Sequence, residues 1–184
     1  MLRATYSVAM RLQNVDGRFC AALAVGIALL LLMLLSAPAF GQAADMAKAR
    51  RAYEAGDYRA ALKEFNKAAD EGSAEAAHWL GLLHDRGHGM SRDPRAAYLW
   101  FSKAAAQGYA EAQRVIGVYH ELGKVVDQDL AQAAVWYGHA VRQNNAKAMR
   151  NLAQLYTRGR GVSQDLAAAG RLLRRSADLG NAKA

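Results

Sequence analysis

Two hydrophobic patterns divide this chain. From Phe19 to Leu35 the residues are apolar without interruption, and beyond residue 42 large apolar, small and polar residues return in fixed columns with a period of 36 residues. The first run is apolar all round and lacks the one-sided stripe of a core helix. The second pattern fills three consecutive blocks, 74–109, 110–145 and 146–181. Each opens Ala-x-Ala, at Ala74, Ala110 and Ala146, and six residues later carries Leu80, Ile116 or Leu152 followed by Gly81, Gly117 or Ala153. Glycine recurs at Gly87, Gly123 and Gly159 and aspartate at Asp93, Asp129 and Asp165. Alanine follows at Ala97, Ala133 and Ala169, then a bulky residue at Trp100, Trp136 and Leu172.

These columns predict one helical hairpin per block. The glycine supplies the left-handed residue that ends a first helix, and the aspartate caps a second, with Pro94 fitting the first turn after Asp93. Small residues at Gly81 and Ala97 are expected to let the two helices approach, with the aliphatic and Trp columns filling the space around that contact. A single hairpin cannot bury its apolar side, so neighbouring hairpins must stack. A shorter unit over 42–73 carries the same signals in Tyr53, Gly56, Asp57, Ala61, Phe65 and Ala68, with a loop five residues tighter. Ala182 and Ala184 begin a further Ala-x-Ala, leaving 182–184 as a stub whose capping unit is absent or comes from a partner.

Composition sharpens the picture at three points. Two prolines and 53% apolar residues favour helix and allow a core. The one cysteine, Cys20, lies inside the first apolar run, so disulfides and thiolate metal sites are excluded from the repeats. Arg3, Arg11 and Arg18 precede that run, and Ser36, Ala37, Pro38, Ala39 and Gly41 follow it. That order is the layout of a secretory signal over 1–41, with Ala39 and Gly41 allowing cleavage before Gln42, Ala37 and Ala39 offering another site and Ala43 a later one; the alternative is an inner-membrane anchor of nearly spanning length. In both cases the arginines place the repeats across the membrane, in the periplasm or secreted. Removing 1–41 takes away Arg3, Arg11, Arg18 and Asp16, and lowers the net charge from +8 to +6. Nucleic acid is the usual partner of a basic protein but is seldom met outside the cell, so none is expected; acidic proteins, wall polymers and lipid head groups remain. Membrane contact is expected only through the first segment, if that is retained.

The pattern Ala-x-Ala-x-x-x-Leu-Gly, then Gly-x-Gly-Val at Gly159 to Val162, then Asp, Ala, Trp and Ala-Ala at a 36-residue period, resembles Sel1-like repeats, relatives of tetratricopeptide repeats. The resemblance covers nearly all of 43–184. It departs at His84 and His120, where the family usually has Tyr, at Leu172 in place of Trp, and over Lys124 to Val126, which lacks the second loop glycine. It implies an all-α fold, an α/α superhelical solenoid of hairpins, and an adaptor or regulator that binds other proteins in the bacterial envelope.

In such stacks the first helix of each hairpin lines the concave side. Carrying that geometry over gives a protein-binding column of His78, Arg114 and Arg150, with Leu82, Val118 and Gln154 one turn above and Glu75, Glu111 and Lys147 below. A basic ladder flanked by apolar patches suits an acidic peptide or envelope protein domain; the plainer reading is a solvated face on which Glu111 and Arg114 pair with each other.

Catalytic chemistry finds little footing. His84 and His88 are four apart near Asp85, but Gly87 between them breaks a metal-binding helix face. Trp100 and Trp136 read as core rather than a sugar platform, and Gly-x-Gly follows a helix where a phosphate loop would follow a strand. No serine has a partnered base at a useful spacing, and no cluster of carboxylates suggests acid and base roles. The cysteine-rich Sel1-like proteins associated with β-lactam binding or hydrolysis carry paired cysteines that the repeats here lack. The chain therefore reads as a scaffold without cofactor, metal or catalytic residues. The alternatives are a peptidoglycan- or polysaccharide-binding protein and, behind it, a β-lactamase-like hydrolase.

Overall fold

The computed structural model describes residues 45–181; the leader expected over 1–41, with its cleavage region and Cys20, and the stub at 182–184 lie outside the described residues. Every regular element among the described residues is an α-helix. Helix α1 covers 45–54, α2 Tyr58–Asp70, α3 Ala74–Arg86, α4 Pro94–Ala106, α5 Ala110–Leu122, α6 Leu130–Arg142, α7 Ala146–Arg158 and α8 Leu166–Asn181. From α2 onwards each helix packs chiefly on its neighbours in sequence, which is the stacking of a solenoid of hairpins.

The helix ends are written in the repeat columns. Asp57, Asp93, Asp129 and Asp165 accept bonds from backbone N–H groups in the first turns of α2, α4, α6 and α8, at 2.7 to 3.0 Å. Ser73 and Asn145 do the same for α3 and α7, but Tyr109, in that column for α5, makes no such bond. Gly87, Gly123 and Gly159 end α3, α5 and α7 at φ 69°, 65° and 63°, the left-handed geometry that glycine adopts without steric cost.

The tightest helix contact differs in one respect from the expected one. A Cβ on Gly81 would stand 2.6 Å from the Phe101 ring, and one on Gly117 2.5 Å from the Tyr137 ring, so these glycines make room for an aromatic of the facing helix. Phe65, Phe101 and Tyr137, 36 apart, are the fully buried aromatics among the described residues, whereas Trp100 and Trp136 are half-buried at the edge of the core. The expectation that the Trp column fills the hairpin interior is thus corrected by one position. Both columns are bulky in every block, and adjacent helix positions differ by about 100° in direction, so only packing decides which of them faces inward. The third hairpin carries Ala153 and Leu173 in these two columns, and there Leu173 is exposed while Leu172 packs on the core.

Polar side chains bond within the hairpins and, from Gln143 to Gly108, across one junction between them. The Gln143 side chain donates to the Gly108 carbonyl at 2.8 Å and to the buried Gln113 amide oxygen at 2.9 Å. The Ser176 hydroxyl donates to the Ala146 carbonyl at 2.8 Å.

Candidate protein-binding face

The first helices α3, α5 and α7 carry the six residues singled out for binding, and the fold separates them into two groups. Leu82, Arg114 and Val118 line one open groove of about 610 Å³ between the α3–α4 turn and α5. Arg150 and Gln154 are exposed on α7 and do not line it. His78 is no exposed rung. Only 6% of it is accessible, and its ring lies 5.0 Å from Tyr109 and 5.3 Å from Phe101. The cause is Tyr109, which stands where Ser73 and Asn145 cap their helices and instead lays its ring over the histidine.

Burial lowers the His78 pKa to about 4, the desolvation of the cation outweighing the field of Glu111. The unfolded chain protonates this side chain near its ordinary value of 6.5, while the folded chain keeps it neutral until about 4. Between those values the unfolded state binds more protons, so stability is full above pH 6.5 and is lost as the pH falls towards 4, by up to about 1.4 kcal/mol per unit. Thermal melts of the parent and of His78→Phe at pH 7, 5.5 and 4.5 check this: the parent should lose stability on acidification more steeply than the variant. Parallel slopes would remove His78 as the cause.

Arg114 is half-buried and held by Glu111, at 2.9 Å, so the intrahelical pairing foreseen for these two residues is formed. Glu111 also accepts from Asn145 at 2.9 Å and faces Lys147 at 3.5 Å, which joins α5 to the start of α7. Although burial alone would raise the Glu111 pKa, these donors and cations hold it below its ordinary value. The carboxylate is therefore a fixed anion that orients Arg114 beside the groove.

The groove also takes in residues that the repeat columns did not single out. Asp85, Arg86 and Arg92 reach it from α3 and its turn, and Leu122, Lys124 and Val125 from the end of α5. Arg92 lies 3.6 Å from Asp85, the one carboxylate in the lining, against Arg86, Arg92, Arg114 and Lys124. The signal for Leu122 and Val125 was available as a departure: their columns hold Arg86 and Arg158, and Gly89 and Gly161, in the other hairpins. His84 and His88 form no joint site, since His88 stacks on Tyr58 at 4.2 Å and sits 3.3 Å from the Tyr53 hydroxyl. Among the described residues no group of three or more His, Cys, Asp or Glu side chains is placed to hold a metal ion, and no helix is long and apolar enough to cross a membrane.

The model of the Sel1 repeat matches residues 74–109, 110–145 and 146–181. A Sel1 repeat protein from Oxalobacter formigenes is similar in structure at 29% identity and a TM-score of 0.70, over 75% of this chain and 57% of that one. The protective antigen c5321 of uropathogenic Escherichia coli, with an SLR fold, is similar at 28% identity and a TM-score of 0.71, over 82% of this chain and 33% of that one. The chain thus spans little more than half of the first protein and a third of the second. Helicobacter pylori cysteine rich protein B shares the fold alone, at 24% identity and a TM-score of 0.50, over 65% of this chain and 90% of that one. No curated protein matches the sequence significantly.

Proposed function

The chain belongs to the Sel1 repeat family, whose members generally serve as scaffolds for protein interaction, and from that premise we propose that it is an exported adaptor of the bacterial envelope. The partner is a protein carrying an acidic segment, and the receiving surface is the face of α3 and α5 around Arg114. One observation carries this reading: Leu82, Arg114 and Val118 converge on a groove with four cationic side chains and one carboxylate in its lining. Apolar walls supply affinity through burial, and an excess of one charge selects the opposite charge on the partner. Export, and with it a periplasmic role as regulator or adaptor, rests on the arginines and unbroken apolar run ahead of residue 36 followed by small residues.

Charge reversal at Arg114 and Arg150 together tests the reading. Neither side chain fills the core, so helical content should be unchanged, although setting a carboxylate at 114 beside Glu111 should cost about 1 to 3 kcal/mol. Crosslinking in the native envelope should capture a protein partner with the parent and much less of it with the double variant. Undiminished capture at intact helicity would discard the face, and co-sedimentation with purified cell wall in place of a protein crosslink would favour the polymer-binding alternative.

A further inference from the structure

Among the hairpins, the middle one alone breaks its own repeat at the groove. The loop after each first helix places a residue in the left-handed region, at Gly89 (φ 77°), Val125 (φ 72°) and Gly161 (φ 70°). Valine is poorly suited to that conformation, because its branched Cβ meets its own backbone there. The other non-glycine residue at positive φ among the described ones, Asn144 at 62°, is of a type that tolerates it.

The substitution has a second consequence. In the flanking hairpins the loop glycine lies directly on the first residue of the second helix of the hairpin before. A Cβ on Gly89 would be 3.0 Å from the Tyr58 Cβ, and one on Gly161 2.3 Å from the Leu130 carbonyl carbon. The equivalent pair in the middle is Val125 and Pro94. No side chain fits so close an approach, and there Pro94 and Val125 instead both line the groove. Three residues earlier, Leu122 replaces the arginine of the neighbouring repeats. Leu122 is 54% and Val125 42% exposed. Two adjacent departures thus hold apolar side chains in water, one on a strained backbone, at the place where the stack is open. Strain and exposure kept together mark a binding device more readily than a stabilising one.

We infer that the Leu122 to Val125 segment is the specificity element of the adaptor, receiving an apolar side chain of an acidic amphipathic segment whose carboxylates meet the cations in the groove lining. This rests on the adaptor reading above and names the partner's chemistry: leucine-like residues spaced along one side, with glutamate or aspartate around them. The cationic excess of the lining, which remains after Asp85 and Glu111 are counted, favours an acidic over a basic segment, and the two exposed apolar side chains distinguish an amphipathic partner from a merely acidic one.

Three synthetic peptides serve as probes by fluorescence anisotropy against the full chain: one with leucines at helical spacing among glutamates, one with those leucines replaced by serine, and one with the glutamates replaced by lysine. The first should bind, and the other two at least about tenfold more weakly. Val125→Gly with Leu122→Gln, which restores the loop glycine and removes the exposed leucine, should weaken the first peptide by at least about tenfold. Val125→Gly alone should melt at a higher temperature than the parent, and the double variant, which changes only the exposed Leu122 besides, no lower than the parent, so lost binding cannot be ascribed to lost folding. Binding of the serine peptide as tight as the leucine peptide, or no binding of the leucine peptide above the lysine one, overturns the inference. If the double variant binds like the parent while Arg114→Glu does not, the segment is discarded and the adaptor face stands. If Arg114→Glu also binds like the parent, both fall.

Discussion

Gly161→Ala should lower the stability of the described helices by about 3 kcal/mol or more, a larger loss than one methyl group produces at most surface sites. Two effects add. At φ 70° alanine forfeits glycine's freedom, at a cost of about 1 to 2 kcal/mol. The new Cβ would also stand 2.3 Å from the Leu130 carbonyl carbon and 2.5 Å from its oxygen. A crowded side chain can rotate away, but a helix backbone cannot, so the α7–α8 loop must lift off the start of α6 and expose the apolar seam between the second and third hairpins. Overpacking of this kind costs about 1 to 3 kcal/mol beyond the dihedral effect. Gly108→Ala supplies the control, because Gly108 has φ 88° and nothing within 4 Å of its Cβ position. Thermal melts followed by circular dichroism should show a small loss for Gly108→Ala and a loss roughly twice as large for Gly161→Ala. Equal losses would mean that the contact with Leu130 contributes nothing.

The loop after α5, equivalent to this one, departs from the repeat columns, as does the cover over His78. Columns 36 apart revealed the hairpins, their aspartate caps and their left-handed glycine ends, because those features depend on residues close in sequence and are the same in every block. The burial of His78 was hidden for the opposite reason. It depends on Tyr109, a residue from another column that gives up a helix cap to cover the histidine in one hairpin only. The groove was hidden in the same way, since averaging over repeats treats Leu122 and Val125 as imperfections. The columns identify what every hairpin must do to stack, whereas binding resides in what one hairpin does differently.

In the core, the contact of Gly117 with the Tyr137 ring predicts a compensated pair. Gly117→Leu should cost about 3 kcal/mol, because its first side-chain carbon already falls 2.5 Å from the Tyr137 ring, which is fully buried and fixed by the donation of its hydroxyl to Glu121 at 2.6 Å. Tyr137→Ala alone should cost about 3 to 5 kcal/mol through the cavity it leaves. Independent effects would sum to most of the stability of an ordinary domain. They should not sum, because both changes act on the one space between α5 and α6. In Gly117→Leu/Tyr137→Ala the leucine occupies space the ring has vacated, so each change relieves the other. Urea unfolding of the parent, both single variants and the double variant should give a double variant more stable than the sum of losses predicts, by about 1 to 3 kcal/mol. Strict additivity would mean that Gly117 and Tyr137 do not share the space assigned to them, and that the close approach of α5 and α6 has some other origin.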